Sequence, residues 1–155
     1  QAHGLLGGDL AVERARGPAD WVAEISGPGR AVWVLWRGSQ PVGMTAVEPD
    51  DDETSALWFR GSYLDPAHRG HGLTQRFYDA RIDWALGMPG LERALISHRD
   101  GNAPVERAIR RAGFRHIETI RSRWPDGAEA LEHCYALDLA AVRRRRAAPW
   151  RGAAA

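Results

Sequence analysis

Residues Leu57–Leu86 read LWFRGSYLDPAHRGHGLTQRFYDARIDWAL. Trp58, Phe59, Tyr63 and Leu64 favour a strand. Asp65-Pro66 stops it, because proline offers no N–H to a ladder. The basic, glycine-bearing loop His68-Arg69-Gly70-His71-Gly72-Leu73 then opens into a helix, with Phe77, Tyr78, Ile82, Trp84, Ala85 and Leu86 as its expected buried face. Such a strand, loop and helix form an anion site. The glycines let successive N–H groups turn toward one point, the helix start adds unpaired donors, and Arg69 adds a full charge. A diphosphate fits that description.

Gly-rich turns before helices serve several ligands, and the spacing excludes two. No Gly-Lys-Ser/Thr follows the glycines, so this is not a P-loop. Thr74-Gln75 stands where the dinucleotide fingerprint needs its last glycine. What remains is the run Arg69-Gly70-His71-Gly72-Leu73-Thr74, preceded by Tyr63-Leu64-Asp65-Pro66. It resembles the acetyl-CoA loop of the GCN5-related N-acetyltransferases (GNAT): Arg69 and Gly72 match, and Thr74 replaces the usual small residue. Downstream, Asn102 followed by a helical run ending at Gly113-Phe114 is similar to a second segment of that family.

The resemblance covers roughly Ala31–Leu139. It implies an α/β fold: a mixed, mostly antiparallel sheet of about six strands flanked by helices, splayed between the family's fourth and fifth strands. It also implies acetyl-CoA as acyl donor and a primary amine as acceptor, either a small molecule or a protein amine. The cofactor-binding residues it implies are Tyr63, Leu64, Arg69, Gly70, His71, Gly72, Leu73, Thr74 and Asn102, with backbone donors at Tyr63 and Leu64 facing the pantetheine and the acetyl carbonyl. Asn102 also reads as a helix cap on physical grounds.

Outward from the motif, Ala31–Trp36 and Pro41–Val47 read as a hairpin around Arg37–Gln40, followed by the acidic loop EPDDDE at Glu48–Glu53. That loop is either a lure for a cationic amine or an ordinary solvated turn. Leu91–Ser97, His116–Trp124 and Ala130–Leu139 read as further strands. Residues 1–30 are expected to be a partial helical segment on the acceptor side, with Asp20 capping a short helix that ends near Ser26. Gln1 at the start leaves room for a preceding segment. Residues 140–155, with Arg143–Arg146, are expected to be a mobile tail. This divides the chain into 1–30, the binding domain 31–139, and the tail.

Composition excludes little but excludes it clearly. A formal charge of +1 gives no global field for nucleic acid or membrane. All 21 basic residues are arginine. The lone Cys134 permits no intramolecular disulfide, which fits a reducing cytoplasm. Seven tryptophans and unpaired edge strands leave room for a homodimer. No metal cluster is expected.

Transfer to an amine needs a held thioester, a neutral amine and stabilisation of an oxyanion. Direct attack needs no covalent enzyme intermediate, so Cys134 reads as a structural thiol. The tyrosine that protonates the thiolate in the family falls at Ile109, and Ala56–Ser62 carries no base carboxylate. Tyr63 and Glu48 are the catalytic candidates, with Glu53 and His98 behind them. The alternative is a non-catalytic acyl-CoA-binding module, which Ile109 favours.

Overall fold

The computed structural model describes residues 15, 17–124 and 126–148. Helix α1 (Pro18–Ile25) starts with proline at a first-turn position where its missing N–H costs nothing. Its cap is Gly17, whose N–H donates to the Asp20 carboxylate at 2.7 Å, so Asp20 works from inside the first turn rather than as the cap expected from the sequence. Strands β1 (Ala31–Arg37) and β2 (Gln40–Pro49) form the expected hairpin, turned by Gly38 at φ 60.

Strand β3 (Ala56–Leu64) runs antiparallel to β2, and after a 3₁₀ turn at Pro66–His68 the chain enters helix α2 (Leu73–Gly87). Strand β4 (Arg93–Arg99) begins two residues later than the sequence reading, because Leu91 and Glu92 act as a strap. The Glu92 N–H donates to the Ser55 carbonyl at 2.8 Å, and the Glu92 carbonyl accepts from the Leu139 N–H at 2.8 Å. Helix α3 (Ala103–Arg111), strands β5 (Arg115–Arg123) and β6 (Glu129–Asp138), and helix α4 (Leu139–Ala147) complete the described chain. The sheet order is β1-β2-β3-β4-β6-β5.

Among the described strands only β3 and β4 are parallel, and they pair at Ala56↔Arg93, Leu57↔Ala94 and Trp58↔Leu95 before their ladder ends. Beyond Trp58 the sheet is forked, as the resemblance implies. One face of the sheet, with Leu57, Phe59, Ala94, Ile96, Tyr135 and Leu137, is buried against α2, α3 and α4. Within α2 the core positions are Phe77, Tyr78, Arg81, Ile82 and Ala85; Trp84 and Leu86 are only half-buried, and an arginine takes the place they were expected to hold.

The expected mobile tail is instead helical through Ala147, and residues 149–155 lie outside the described residues. Leu139 and Val142 join the core. The Arg143 guanidinium donates to the carbonyls of Ala85, Leu86, Met88 and Leu91 at 3.3, 3.3, 3.2 and 2.8 Å. Those carbonyls lie at and beyond the end of α2, where helical pairing runs out, and a cation there also suits the helix dipole.

Candidate active site

The loop after β3 is shaped by its glycines. Gly70 and Gly72 hold φ 82 and 73, values that side chains resist, and a Cβ at either would meet nothing within 4 Å. Gly72 is the N-cap of α2 and offers no side-chain cap. Consequently the N–H groups of His71, Gly72, Leu73 and Thr74 find no acceptor among the described residues. Four successive donors at a helix start are a ready anion cradle. Arg69 flanks it, anchored by its Nε donating to the Leu64 carbonyl at 2.9 Å while the rest of the guanidinium stays exposed. His71 is exposed, and Leu73 and Thr74 are half-buried.

The cradle lies at the end of β3 where that strand has parted from β4. Between Ala46↔Arg60 and Met44↔Tyr63 strand β3 takes one residue more than β2, a bulge at Gly61-Ser62 with Gly61 at φ 59. After the bulge the Asp65 N–H donates to the Val42 carbonyl at 2.8 Å. By the alternation of an antiparallel ladder, Tyr63 then points its N–H toward β2 and Leu64 points its own toward the fork. Of the two backbone donors expected at the slot, the register thus brings Leu64 and not Tyr63. Asn102 sits at the start of α3, where its Oδ1 accepts from the Val105 N–H at 3.4 Å, a weak cap.

The opposite, open face of the sheet carries the two catalytic candidates, Tyr63 and Glu48. Gly43 faces α2, since a Cβ there would meet the Phe77 ring at 2.9 Å, so its neighbour Met44 and Met44's partner Tyr63 face away. Glu48 and its partner Trp58 share that open face. A cleft of about 300 Å³ there is lined by Arg30, Glu48, Asp50, Trp58 and Arg60 among others. In it Glu48 holds Arg60 through one oxygen at 2.5 Å and Arg30 through the other at 3.3 Å. The Trp58 indole donates to Asp50, and the Arg60 guanidinium lies 4.6 Å from the Trp58 ring centre. Tyr63 and Glu48 are four residues apart along β2, roughly 13 Å, so the structure puts them on one face without bringing them together.

Other candidates are placed elsewhere. Ile109 is wholly buried in the core. His98 is buried, with Nδ1 near the Arg99 carbonyl at 2.9 Å and Nε2 near the Tyr135 hydroxyl at 3.3 Å. Glu53 pairs with Arg93 at the sheet's far end. Cys134 is buried, and burial together with Glu132 and Glu118 pushes its thiol up to about 11, so it is no nucleophile at neutral pH.

Residues 9–114 match the sequence family described as the acetyltransferase (GNAT) family. The chain belongs to the GNAT acetyltransferase family. No curated protein sequence matches it significantly. Solved structures agree with this GNAT assignment in fold. Arabidopsis thaliana NAA60, solved with a bisubstrate analogue, aligns at TM-score 0.66 and 12% identity, over 83% of this chain and 88% of that one. The ribosomal-protein-S18-alanine N-acetyltransferase of Escherichia coli aligns at 0.64 and 17%, over 79% and 77%. Salmonella typhimurium yncA, solved with its cofactor acetyl-CoA, aligns at 0.63 and 21%, over 72% and 65%.

Two parts of this GNAT domain escaped the sequence reading. Arg81 is 1% exposed, and Thr45 beneath the bulge is 0% exposed. The signal for Arg81 was present, since a charged residue at i+4 from Phe77 and i−4 from Ala85 falls on the apolar stripe. No helix among the described residues is long and apolar enough to cross a membrane, and no metal-holding cluster occurs among them.

Proposed function

We propose that this protein is an N-acetyltransferase that uses acetyl-CoA as donor and a primary amine as acceptor, the two meeting in the fork between β3 and β4. The observation that carries this reading is the cradle of four partnerless amides from His71 to Thr74, set where a strand leaves its parallel neighbour. Arg69, Gly70, His71, Gly72, Leu73 and Thr74 take the diphosphate, by backbone donors and one guanidinium. The Leu64 N–H and the Asn102 side chain hold the pantetheine, and the Tyr63 side chain closes the open-face end of the slot.

The acceptor enters from the open face through the cleft at Trp58. Its neutral nitrogen attacks the thioester carbonyl directly. The new C–N bond forms as the C–S bond breaks, the amine's proton leaves through water toward Glu48, and the departing thiolate takes a proton from Tyr63 or from water. Arg60 and Arg30 each pair with one of the two Glu48 oxygens and hold the carboxylate in place. Holding donor and acceptor together then supplies much of the rate.

One observation favours a second reading, binding without turnover: Ile109, at the family's tyrosine position, is sealed in the core. Calorimetric titration of acetyl-CoA, followed in the same sample by thiol release with a panel of amines, separates the two. Binding with release supports the transferase, and binding without release across the panel supports the module. Absence of binding removes both.

A further inference from the structure

We propose that Arg81 is a positioning residue for the slot, a clamp inside the core that fixes the bulge of β3 and with it the backbone donor that faces the fork. The inference rests on the reading of the fork as the acyl-CoA slot. Arg81 is 1% exposed, and no carboxylate pairs with it among the described residues. Its guanidinium lies against two aromatic rings, 4.4 Å from the Phe59 centre and 4.8 Å from the Tyr78 centre. Nε donates to the Phe77 carbonyl at 3.1 Å, and Nη1 donates to the Ser62 hydroxyl at 3.2 Å. Ser62 in turn meets the Thr45 hydroxyl at 2.7 Å.

Those contacts converge on the bulge. Ser62 is the residue after Gly61 in the extra step of β3, and Thr45 lies between the two β2 residues that flank that step in the register. The chain of contacts therefore ties α2 to the irregular part of β3 and to β2 across it. Burial lowers the Arg81 guanidinium to about 10, which still leaves it charged at neutral pH. Taking an unpaired cation into a core is costly, and an apolar side chain of similar length fills such space more cheaply. What the arginine adds is directed donation from a helix to a strand.

The strand feature it holds decides the chemistry of the slot. A one-residue slip in an antiparallel ladder exchanges which residues point their N–H groups outward. With the bulge in place Leu64 faces the fork. Without it, the amides after Gly61 change sides and the loop from Asp65 onward is displaced.

The test uses the full chain as wild type, Arg81→Met, Ser62→Ala and the double variant. Methionine fills the space without charge, while Ser62→Ala removes no apolar side chain and cuts both the arginine's contact to the strand and the Ser62–Thr45 contact. In ligand-free protein, amide hydrogen exchange at Tyr63 and Asp65 should accelerate on the order of tenfold in either single variant, with the rest of α2 and β6 unchanged. Affinity for acetyl-CoA should fall by a similar factor, with no further loss in the double variant. Unchanged exchange at Tyr63 and Asp65 in Ser62→Ala overturns the clamp, as does an equal acceleration throughout the sheet, which marks a merely structural role. Should Arg81→Met fail to fold, unchanged exchange in Ser62→Ala still overturns the clamp. Should the wild type fail to bind acetyl-CoA, the exchange data still judge the clamp, and only the reading of the slot falls.

Discussion

Replacing Arg143 by methionine tests whether the C-terminal arginines belong to the fold. The guanidinium of Arg143 donates to four carbonyls at and beyond the end of α2, one at 2.8 Å and three at 3.2–3.3 Å. A hydrogen bond to a charged donor contributes about 1.5–3 kcal/mol when it is short and buried. Here one bond is short, three are long, and the side chain is half-buried, so the four together are worth about 2 kcal/mol rather than four times that figure. Methionine keeps the aliphatic stem, so packing loss adds little. In a chain of this size the melting temperature should fall by about 4–8 °C. The exposed Arg145, which has no partner among the described residues, is the control and should change stability by less than about 0.5 kcal/mol when made methionine. Arg143→Lys should recover only part of the loss, since an ammonium cannot span a fork of carbonyls. Thermal and chemical denaturation of the four proteins measure all of this. Equal midpoints for Arg143→Met and Arg145→Met would refute the cap and return the segment to a solvated tail.

Gly72→Val should cost about 1–2 kcal/mol in chemical denaturation, because φ 73 is strained for a branched residue, and should abolish acetyl-CoA binding; retained affinity in titration removes the loop from the site. Ile109→Tyr should destabilise by about 1–3 kcal/mol through overpacking without raising turnover, as read from the melting curve and the thiol-release rate. Cys134 should resist thiol reagents at pH 8 and react at once in denaturant. Its folded value lies above the ordinary one, so the folded state keeps the proton longer and this group's contribution to stability is lost as pH rises toward about 11. With a peptide carrying both amines near pH 7, mass spectrometry should find acetylation of the α-amine over lysine; preferred lysine modification would show that an effective base operates.

The legible part of the molecule was written in local signals. The hairpin, the motif strand and its loop announce themselves through alternation, proline and glycine, so Gly70 and Gly72 were found at their positive φ values. The fork was readable only through resemblance, because nothing local in Trp58 or Leu95 says where a parallel ladder ends. Tyr63 and Leu64 were expected to act alike because a bulge can be inferred without its position, and one residue of register decides which amide faces outward. Arg143 and Arg81 were missed for a common reason. Arginine in a sequence reads as surface, and its long apolar stem lets the same residue serve in a core or at a helix end when its donors find carbonyls or hydroxyls. Neither partner set is near in sequence for Arg143, whose acceptors lie more than fifty residues earlier.

The absent family tyrosine and the distance of Glu48 from the slot bear unequally on the proposed acetyl transfer. A thiol of the alkyl kind ionises near pH 8.5, so a departing thiolate is tolerable near neutrality without a dedicated proton donor. Ile109 at the family's tyrosine position therefore removes little. The nucleophile is the harder half: an α-amine with a value near 7.7–8.0 is neutral in roughly one molecule in ten at pH 7, whereas a lysine near 10.4 is neutral in roughly one in 2,500. Glu48 stands four residues along β2 from the partner of Tyr63, roughly 13 Å, so it reaches the slot only through water. A slot that orients two reactants but does little proton chemistry thus selects its acceptors by their own basicity. On the proposed reading the site therefore favours amines that arrive already neutral, and the geometry of the fork, with its bulge at Gly61-Ser62, is the main lever on rate.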